Sequence, residues 1–327
     1  MISWWACRLA RMLPKSRIVS ALLVGLGLAL IVAGLVAPRF LNGDARFPLN
    51  LENTTWTLHD PEGVVGEEDG AVTVPVTHQL HMTVQNPASE HVVALRVGDS
   101  LLRADKETDL DNLVAASTWS LEIDRMSGQF EGPARLSSMM AFPETEVPVD
   151  GVWLKFPSNL EPGAYQVFDP VLRETAPATF TGEEEQYGRT VYTFEQKVPD
   201  TNLAAKFNDG QNTMTIQGED GGMVKAFRHH AATRTFTVDQ ITGLVIGMTE
   251  KVDDYYADRS GARVKEIVSY DAAMDEEQTR QLAEQLPKVT QRISQGVTYG
   301  VIGLGALLTL AGLLGAFRPG GKRSRDH

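Results

Sequence analysis

The chain has 327 residues and a formal net charge of −12, from 42 acidic against 30 basic side chains. That surplus of acid excludes nucleic acid as an electrostatic partner. A single cysteine, Cys7, excludes a disulfide framework.

Residues 1–17 carry Arg8, Arg11, Lys15 and Arg17 and no acid, and the uncharged run IVSALLVGLGLALIVAGLVA follows from Ile18 to Ala37. About 20 helical residues cross a hydrocarbon core of roughly 30 Å, and in lipid a helix satisfies the backbone of such a segment internally. A secretory signal also places a basic flank before an apolar core. This core exceeds the ~7–15 residues usual there, and its exit, Leu35-Val36-Ala37 before Pro38, lacks the small residue a cleavage site requires. The run therefore reads as an uncleaved signal anchor, residues 18–37. Ala21, Gly25, Ala29 and Ala33 recur at every fourth position, the spacing that lets membrane helices approach closely.

From residue 38 to 273 the pattern is strand. AVTVPVTHQLHMTVQ (71–85), HVVALRV (91–97), STWSLEI (117–123), GVWLKF (151–156), RTVYTFEQKV (189–198), TRTFTV (233–238) and GLVIGMTEKV (243–252) mix β-branched and aromatic residues with period-two alternation. DRMSG (124–128) and DQITG (239–243) each end a strand on Asp and close on Gly, as tight turns do. DKETDLDNLVAAS (105–117) predicts a short helix capped near Asp105. With no Gly- or Ser-rich linker and no repeat of fixed period, the expected fold is mainly β: one large antiparallel domain, barrel- or sandwich-like, with two transmembrane helices.

Residues 274–296 predict a juxtamembrane helical stalk, in which Asp275 caps, Glu276 and Glu277 favour the N-terminus, and Leu282 and Leu286 share a face before Pro287. A second uncharged run spans 297–317, with Gly305/Thr309 and Gly312/Ala316 repeating the small-residue spacing. The tail, 318–327, carries Arg318, Lys322, Arg323 and Arg325 against Asp326 alone. Basic flanks at both ends place both termini in the cytoplasm and the middle outside the plasma membrane. Removing those eight basic residues and one acid from the totals of 30 and 42 leaves 22 and 41, a net charge of −19 on the extracytoplasmic part.

Catalytic and metal-binding signatures such as G-x-S-x-G, H-E-x-x-H and C-x-x-C are missing. His78 and His81 point to opposite faces of a strand, as do His229 and His230, which argues against shared metal ligation. Glu183, Glu184 and Glu185, and the pair Asp253 and Asp254, read as solvated acids ahead of a calcium site. The aromatic residues Trp56, Trp119, Trp153, Phe156, Tyr165, Phe168, Tyr192 and Phe194 read as core, or as the lining of an apolar cavity should the sheet curl round one. No catalytic, cofactor or metal residue is assigned, and no cofactor is expected.

A D-R-x-[ST]-G turn at WSLEIDRMSGQF, a K-F-P strand, a Y-x-x-x-D strand, a T-G-E-E segment running into Y-x-F, and a late V-D-x-x-T-G turn stand in fixed order. In this order they resemble the actinobacterial membrane family labelled porin-A-like, a family of unknown function, over nearly the whole chain. The two-span layout with a β-rich ectodomain is similar, in architecture alone, to class B scavenger receptors, whose ectodomains enclose a lipid tunnel. A membrane β-barrel needs strands of about 9–11 residues with an apolar outer face, whereas these stretches read as short, Pro-interrupted and acidic. The leading expectation is thus a non-enzymatic plasma-membrane protein whose ectodomain binds or transports a lipid or glycolipid of the cell envelope, or docks envelope machinery. The alternative is a porin-like subunit that forms a pore as an oligomer. The expected partners are the bilayer, a lipid ligand, and a second copy or an envelope protein.

Overall fold

Each strand-like stretch carries one apolar face, and the chain covers these faces by pairing the stretches edge to edge and curling the sheet over them. The computed structural model describes residues 15–41, 45–52, 54–138, 143–217, 222–287 and 295–316. These fall into a helical unit, built from the two terminal helices, and a β unit, Ala45–Pro287.

The β unit is one antiparallel sheet of 13 strands. Its elements are β1 (Thr55–Glu67), β2 (Gly70–Ala88), β3 (Val92–Arg103), β4 (Leu113–Asp124), β5 (Ala134–Ser137), β6 (Thr145–Val147), β7 (Ala164–Asp169), β8 (Glu174–Gln186), β9 (Arg189–Asn202), β10 (Thr213–Gln217), β11 (Met223–Asp239), β12 (Val245–Ala257) and β13 (Arg263–Met274). The order is β6-β5-β4-β3-β2-β1-β13-β12-β11-β9-β8-β7, with β10 on β11. β6 and β7 stand at opposite ends of that order, so the expected barrel or sandwich is corrected to a single open sheet.

The strands are also longer than the sequence suggests, 19 residues in β2 and 17 in β11. Two of the prolines are accommodated where the ladder is already broken: the β1–β2 register shifts between Asp60 and Gly63, which places Pro61 and Pro75 at the irregularity. Alternation sets the two faces. Val74, Val76, His78, Leu80 and Met82 of β2 are buried, while Thr77 and Gln79 are half-buried and His81 is exposed on the other face. β12 likewise turns Thr249 and Lys251 outward. Apolar inside and polar outside is the reverse of a lipid-facing barrel wall.

The two wings of the sheet meet at side chains and at a strap. Trp119 of β4 and Phe168 of β7 pack edge to face with centroids 5.5 Å apart. The segment 151–156, expected as a strand, runs extended and buried between the wings, with isolated bridges from Val152 to β7 and from Lys155 to Leu244. Phe156 donates its N–H to the Gly243 carbonyl at 2.6 Å and Val245 donates to Leu154 at 3.1 Å. Both Asp-to-Gly turns close onto this strap. Gly128 and Gly243 hold φ of +72° and +70°, and a Cβ on either would meet the carbonyl of Lys155 or Phe156. The Lys155 ammonium, between Asp124 and Asp239, donates to Met126 O and Ser158 Oγ at 3.1 Å and to Phe156 O at 2.5 Å. Burial pushes this lysine down to about 7 despite those two carboxylates.

The helix expected at 105–117 is a turn. Thr108 bonds Asp111, Asn112 Oδ1 accepts from the Lys106 N–H, and these local bonds compete with a helical ladder while Leu113 and Val114 start β4. The later helix, α2 (Glu276–Gln285), is capped by Asp275, whose side chain accepts from the Gln278 N–H. Its Leu282 and Ala283, with Leu286, are buried in the core of the β unit, and Arg189 donates to the carbonyls of Ala283, Leu286 and Pro287.

In the helical unit, α1 spans Lys15–Leu41 and contains Ile18–Val36, long and apolar enough to cross a membrane. α3 spans Gln295–Ala316, with a shorter apolar stretch, Tyr299–Gly315. The two helices cross through small residues. A Cβ on Gly27 would meet Gly305 O and Thr309, one on Gly305 would meet Gly27 O and Ile31, and one on Gly312 would meet Ser20 O and Val24. The face of α1 toward α3 therefore carries Ser20, Gly27 and Gly34, all buried, whereas Ala21, Gly25, Ala29 and Ala33 are exposed. Lys15 and Arg17 lie in α1 and Ala316 ends α3. Their side chains, and Arg8, Arg11, Arg318, Lys322, Arg323 and Arg325 altogether, lie outside the described residues.

Candidate functional site

Inward positions of a curled sheet are ordinarily apolar, and here a set of them is charged. His78 of β2, His230 and Arg234 of β11, Glu250 and Asp254 of β12, and Asp169 at the end of β7 are all at most 9% exposed. Register explains part of their meeting: Arg234 lies directly opposite Glu250 and His230 opposite Asp254 on the β11–β12 ladder. Curvature explains the rest by bringing β2 and β7 over that pair of strands.

The result is an unbroken alternation of acid and base. Asp99 accepts from His78 Nε2 at 3.0 Å, and His78 Nδ1 donates to Glu250 at 2.6 Å. Glu250 accepts from Arg234 Nε, and Arg234 Nη1 donates to Asp169 at 2.5 Å. Asp169 also accepts from His230 Nε2 at 3.2 Å, His230 Nδ1 donates to Asp254 at 2.5 Å, and Arg228 closes the row on Asp254 at 2.5 Å. Tyr270 adds its hydroxyl to Glu250 at 3.0 Å.

Charge follows from this geometry. Burial works against the imidazolium of His78 and of His230, but the flanking carboxylates outweigh it and raise both groups to about 10. Burial likewise opposes the ionised forms of Asp169, Glu250 and Asp254, and the adjacent cations hold all three below the usual carboxylate range. The row is therefore four cations against four anions. Arg173 and Asp209, paired at 2.8 Å nearby, keep the same balance.

All of these residues except Asp169, which is fully buried outside the lining, form one wall of a cavity of about 760 Å³. Much of the remaining lining is apolar, with Leu80, Leu101, Trp119 and Leu136 from one wing, Phe168, Leu203 and Phe207 from the other, and Phe236, Met248 and Val252 from β11 and β12, while Ser117, Thr118, Ser137, Gln211 and Asn212 add polar positions. Leu113 and Ser138, both exposed, mark its rim. The size falls within the range of small-molecule sites. Two polar atoms of the lining residues, the indole N–H of Trp119 and the Nε–H of Arg228, have no acceptor among the described residues.

Of the aromatic residues read as core or cavity wall, Trp119, Trp153 and Phe168 line the cavity, while Phe156, Tyr165 and Phe194 pack together in the core. Trp56 is also core, its N–H bonded to Val245 O. His81 and His229 face away, bonded to Thr55 and Asp200. Glu183, Glu184 and Glu185 belong to β8 paired with β9, not to a loop, while Asp253 pairs with Arg263 and only its neighbour Asp254 enters the site. No three His, Cys, Asp or Glu converge as metal ligands among the described residues.

The family model described as Porin PorA matches residues 19–314, which take in most of both terminal helices and the whole β unit. Two curated proteins, each called Porin PorA, are similar: one from Corynebacterium amycolatum at 24% identity over 60% of this chain and 58% of that protein, one from Corynebacterium resistens at 25% over 59% and 55%. The chain thus spans under three-fifths of the length of these relatives. A solved structure, the N-terminal dehydratase from the difficidin assembly line, aligns over 80% of this chain and 88% of that one at 10% identity, and its TM-score of 0.11 is too low to bear on the fold.

Proposed function

Since the chain belongs to the Porin PorA family, we propose that it acts as a membrane-anchored, non-enzymatic porin-like subunit whose pore is made by assembly of several copies. The observation that carries this reading is the match over residues 19–314, helices and β unit together. The β unit does not serve as the barrel in this reading, because its sheet is open and its polar side chains face outward. Passage then depends on the helical unit. In this reading the first span (18–37), within α1, and the second span (297–317) cross the plasma membrane with residues 1–17 and 318–327 in the cytoplasm, and the acidic domain stands outside. The test is conductance of the purified full-length protein in planar bilayers, with its subunit number measured in the same detergent. Stepwise currents from an oligomer support the reading. A uniformly monomeric protein without current steps at any loading would remove it.

A second reading is favoured by the cavity of about 760 Å³. In this reading the β unit holds an apolar component of the cell envelope, with the terminal helices as its anchor. Native mass spectrometry of protein extracted without added lipid tests it through the mass of any retained ligand.

A further inference from the structure

Among the side chains that line the cavity, cations outnumber acids. His78 and His230 each bond a carboxylate at both ring nitrogens, so both are imidazolium. With Arg173, Arg228 and Arg234 they make five positive lining groups, against the four acids Asp99, Asp209, Glu250 and Asp254. Asp169, which bonds Arg234 and His230, lies outside the lining.

Hydrogen bonding sharpens this bias. Glu250 and Asp254 keep only 2% and 3% of their side chains exposed, and both are committed: Glu250 accepts from His78, Arg234 and Tyr270, Asp254 from His230 and Arg228. The more open acids, Asp209 and Asp99, each face a cation, Arg173 and His78. Two of the arginines keep donors in reserve. Arg228 and Arg173 are 21% and 18% exposed, and each gives only Nη2 to an acid. Nη1 of each has no acceptor among the described residues and, unlike Nε of Arg228, is not sealed inside the protein. The Arg173 guanidinium lies 4.0 Å over the Phe207 ring, which orients its plane and leaves its N–H edge available. The charge of Asp209, the partner of Arg173, also acts on Arg228, which places the two arginines in one corner of the cavity. Open guanidinium N–H groups suit an oxyanion. The lining also holds Leu80, Leu101 and Leu136, which suit an aliphatic chain.

We infer that the cavity binds an acidic amphiphile, an aliphatic chain ending in a carboxylate or a phosphate, whose oxyanion accepts from Nη1 of Arg173 and of Arg228. This rests on the second, ligand-holding reading of the β unit and is independent of whether the helices conduct. The chain lies along the leucine side of the cavity and the head lies in the arginine corner.

The test uses the full-length protein in a non-ionic amphipol and titration calorimetry with five probes: decanoate, decyl phosphate, decanol, decyltrimethylammonium and inorganic phosphate. The expected result is a saturable one-to-one complex with decanoate or decyl phosphate, the tighter of the two naming the head. Decanol, decyltrimethylammonium and inorganic phosphate should each bind about tenfold or more weakly, since each lacks either the charge-assisted bonds or the chain. Arg173→Gln is expected to weaken the preferred anion by about tenfold and to leave decanol unchanged. Its melting temperature without ligand should stay close to that of the parent, because a partly exposed ion pair contributes little. Lys197→Gln, on an exposed lysine outside the cavity lining, should change nothing. Decanol or the ammonium probe binding as tightly as the anions, inorganic phosphate binding as tightly as decyl phosphate, or a folded Arg173→Gln binding like the parent would overturn the acidic-amphiphile assignment while leaving a ligand-holding cavity. Absence of a saturable complex with all five would overturn the underlying reading as well.

Discussion

His78 on β2 donates to Glu250 on β12 at 2.6 Å although β1 and β13 lie between their strands in the sheet. Three interstrand spacings in a flat sheet amount to about 14 Å. The bond therefore depends on curvature, and it ties that curvature to charge. Converting Glu250 to Gln leaves two buried cations short of an anion and is expected to cost about 3–5 kcal/mol, read from urea unfolding of the solubilised full-length protein. Adding His78→Gln removes one of those cations. The double variant should then lose less than the sum of the two single losses, and strict additivity would show that the pair does not act as a unit.

The pH dependence has a definite sign. His78 and His230 titrate near 10 in the folded chain against 6.5 for a free imidazole, so their contribution is complete below pH 6.5 and is lost as pH rises toward 10. Asp169, Glu250 and Asp254 are depressed, so theirs is complete above the ordinary carboxylate pKa near 4 and is lost as pH falls below it. Lys155, lowered from 10.5 to about 7, acts the other way on the alkaline side, where its burial penalty fades. Two histidines against one lysine give a net decline in melting temperature from pH 7 to 10, and His230→Gln should flatten it. An alkaline limb unchanged by that substitution would show that the histidines do not carry it.

Much of this site is written in the phase of the strands. In VTVPVTHQLHM the apolar set is Val72, Val74, Val76, Leu80 and Met82, and His78 stands in that set, not among the polar residues between. Arg234 and His230 share the phase of Phe236, and Glu250 and Asp254 that of Met248 and Val252. Charged residues in the inward phase are the legible signal, and reading Asp253 and Asp254 as one solvated pair conceals it. The partners are not legible, because the decisive contacts join residues 172 and 65 positions apart through curvature that no local pattern encodes. The closing of two Asp-to-Gly turns on Lys155 is hidden in the same way: each turn is evident alone, but the strap between them is not.

That strap gives a contrast between two glycines. Gly243 and Gly188 share positive φ, +70° and +71°, but a Cβ at Gly243 meets the Phe156 carbonyl whereas one at Gly188 meets nothing within 4 Å. Gly188→Ala should cost about 1 kcal/mol from backbone strain alone, and Gly243→Ala about 2–3 kcal/mol. Urea midpoints of the two variants check this, and equal losses would argue that the strap yields freely.

The helical unit offers the corresponding contrast for the pore. The sequence carries two small-residue stripes on α1, one at every fourth residue and one at Ser20, Gly27 and Gly34, seven apart. Seven residues are two full turns of a supercoiled pair, so the second stripe keeps one face toward a partner along the whole helix, and this is the face that meets α3. Gly27→Leu puts a side chain into Gly305 and Thr309, while the position of Gly25 is open. Gly27→Leu is therefore expected to lower the melting temperature of the solubilised protein by several degrees and to abolish current steps in planar bilayers. Gly25→Leu separates pairing within a chain from assembly between chains. If the exposed stripe through Ala21, Gly25, Ala29 and Ala33 is where copies meet, Gly25→Leu leaves the melting temperature unchanged yet reduces both the subunit number and the conductance. Conductance intact in Gly25→Leu would place the assembly contact elsewhere.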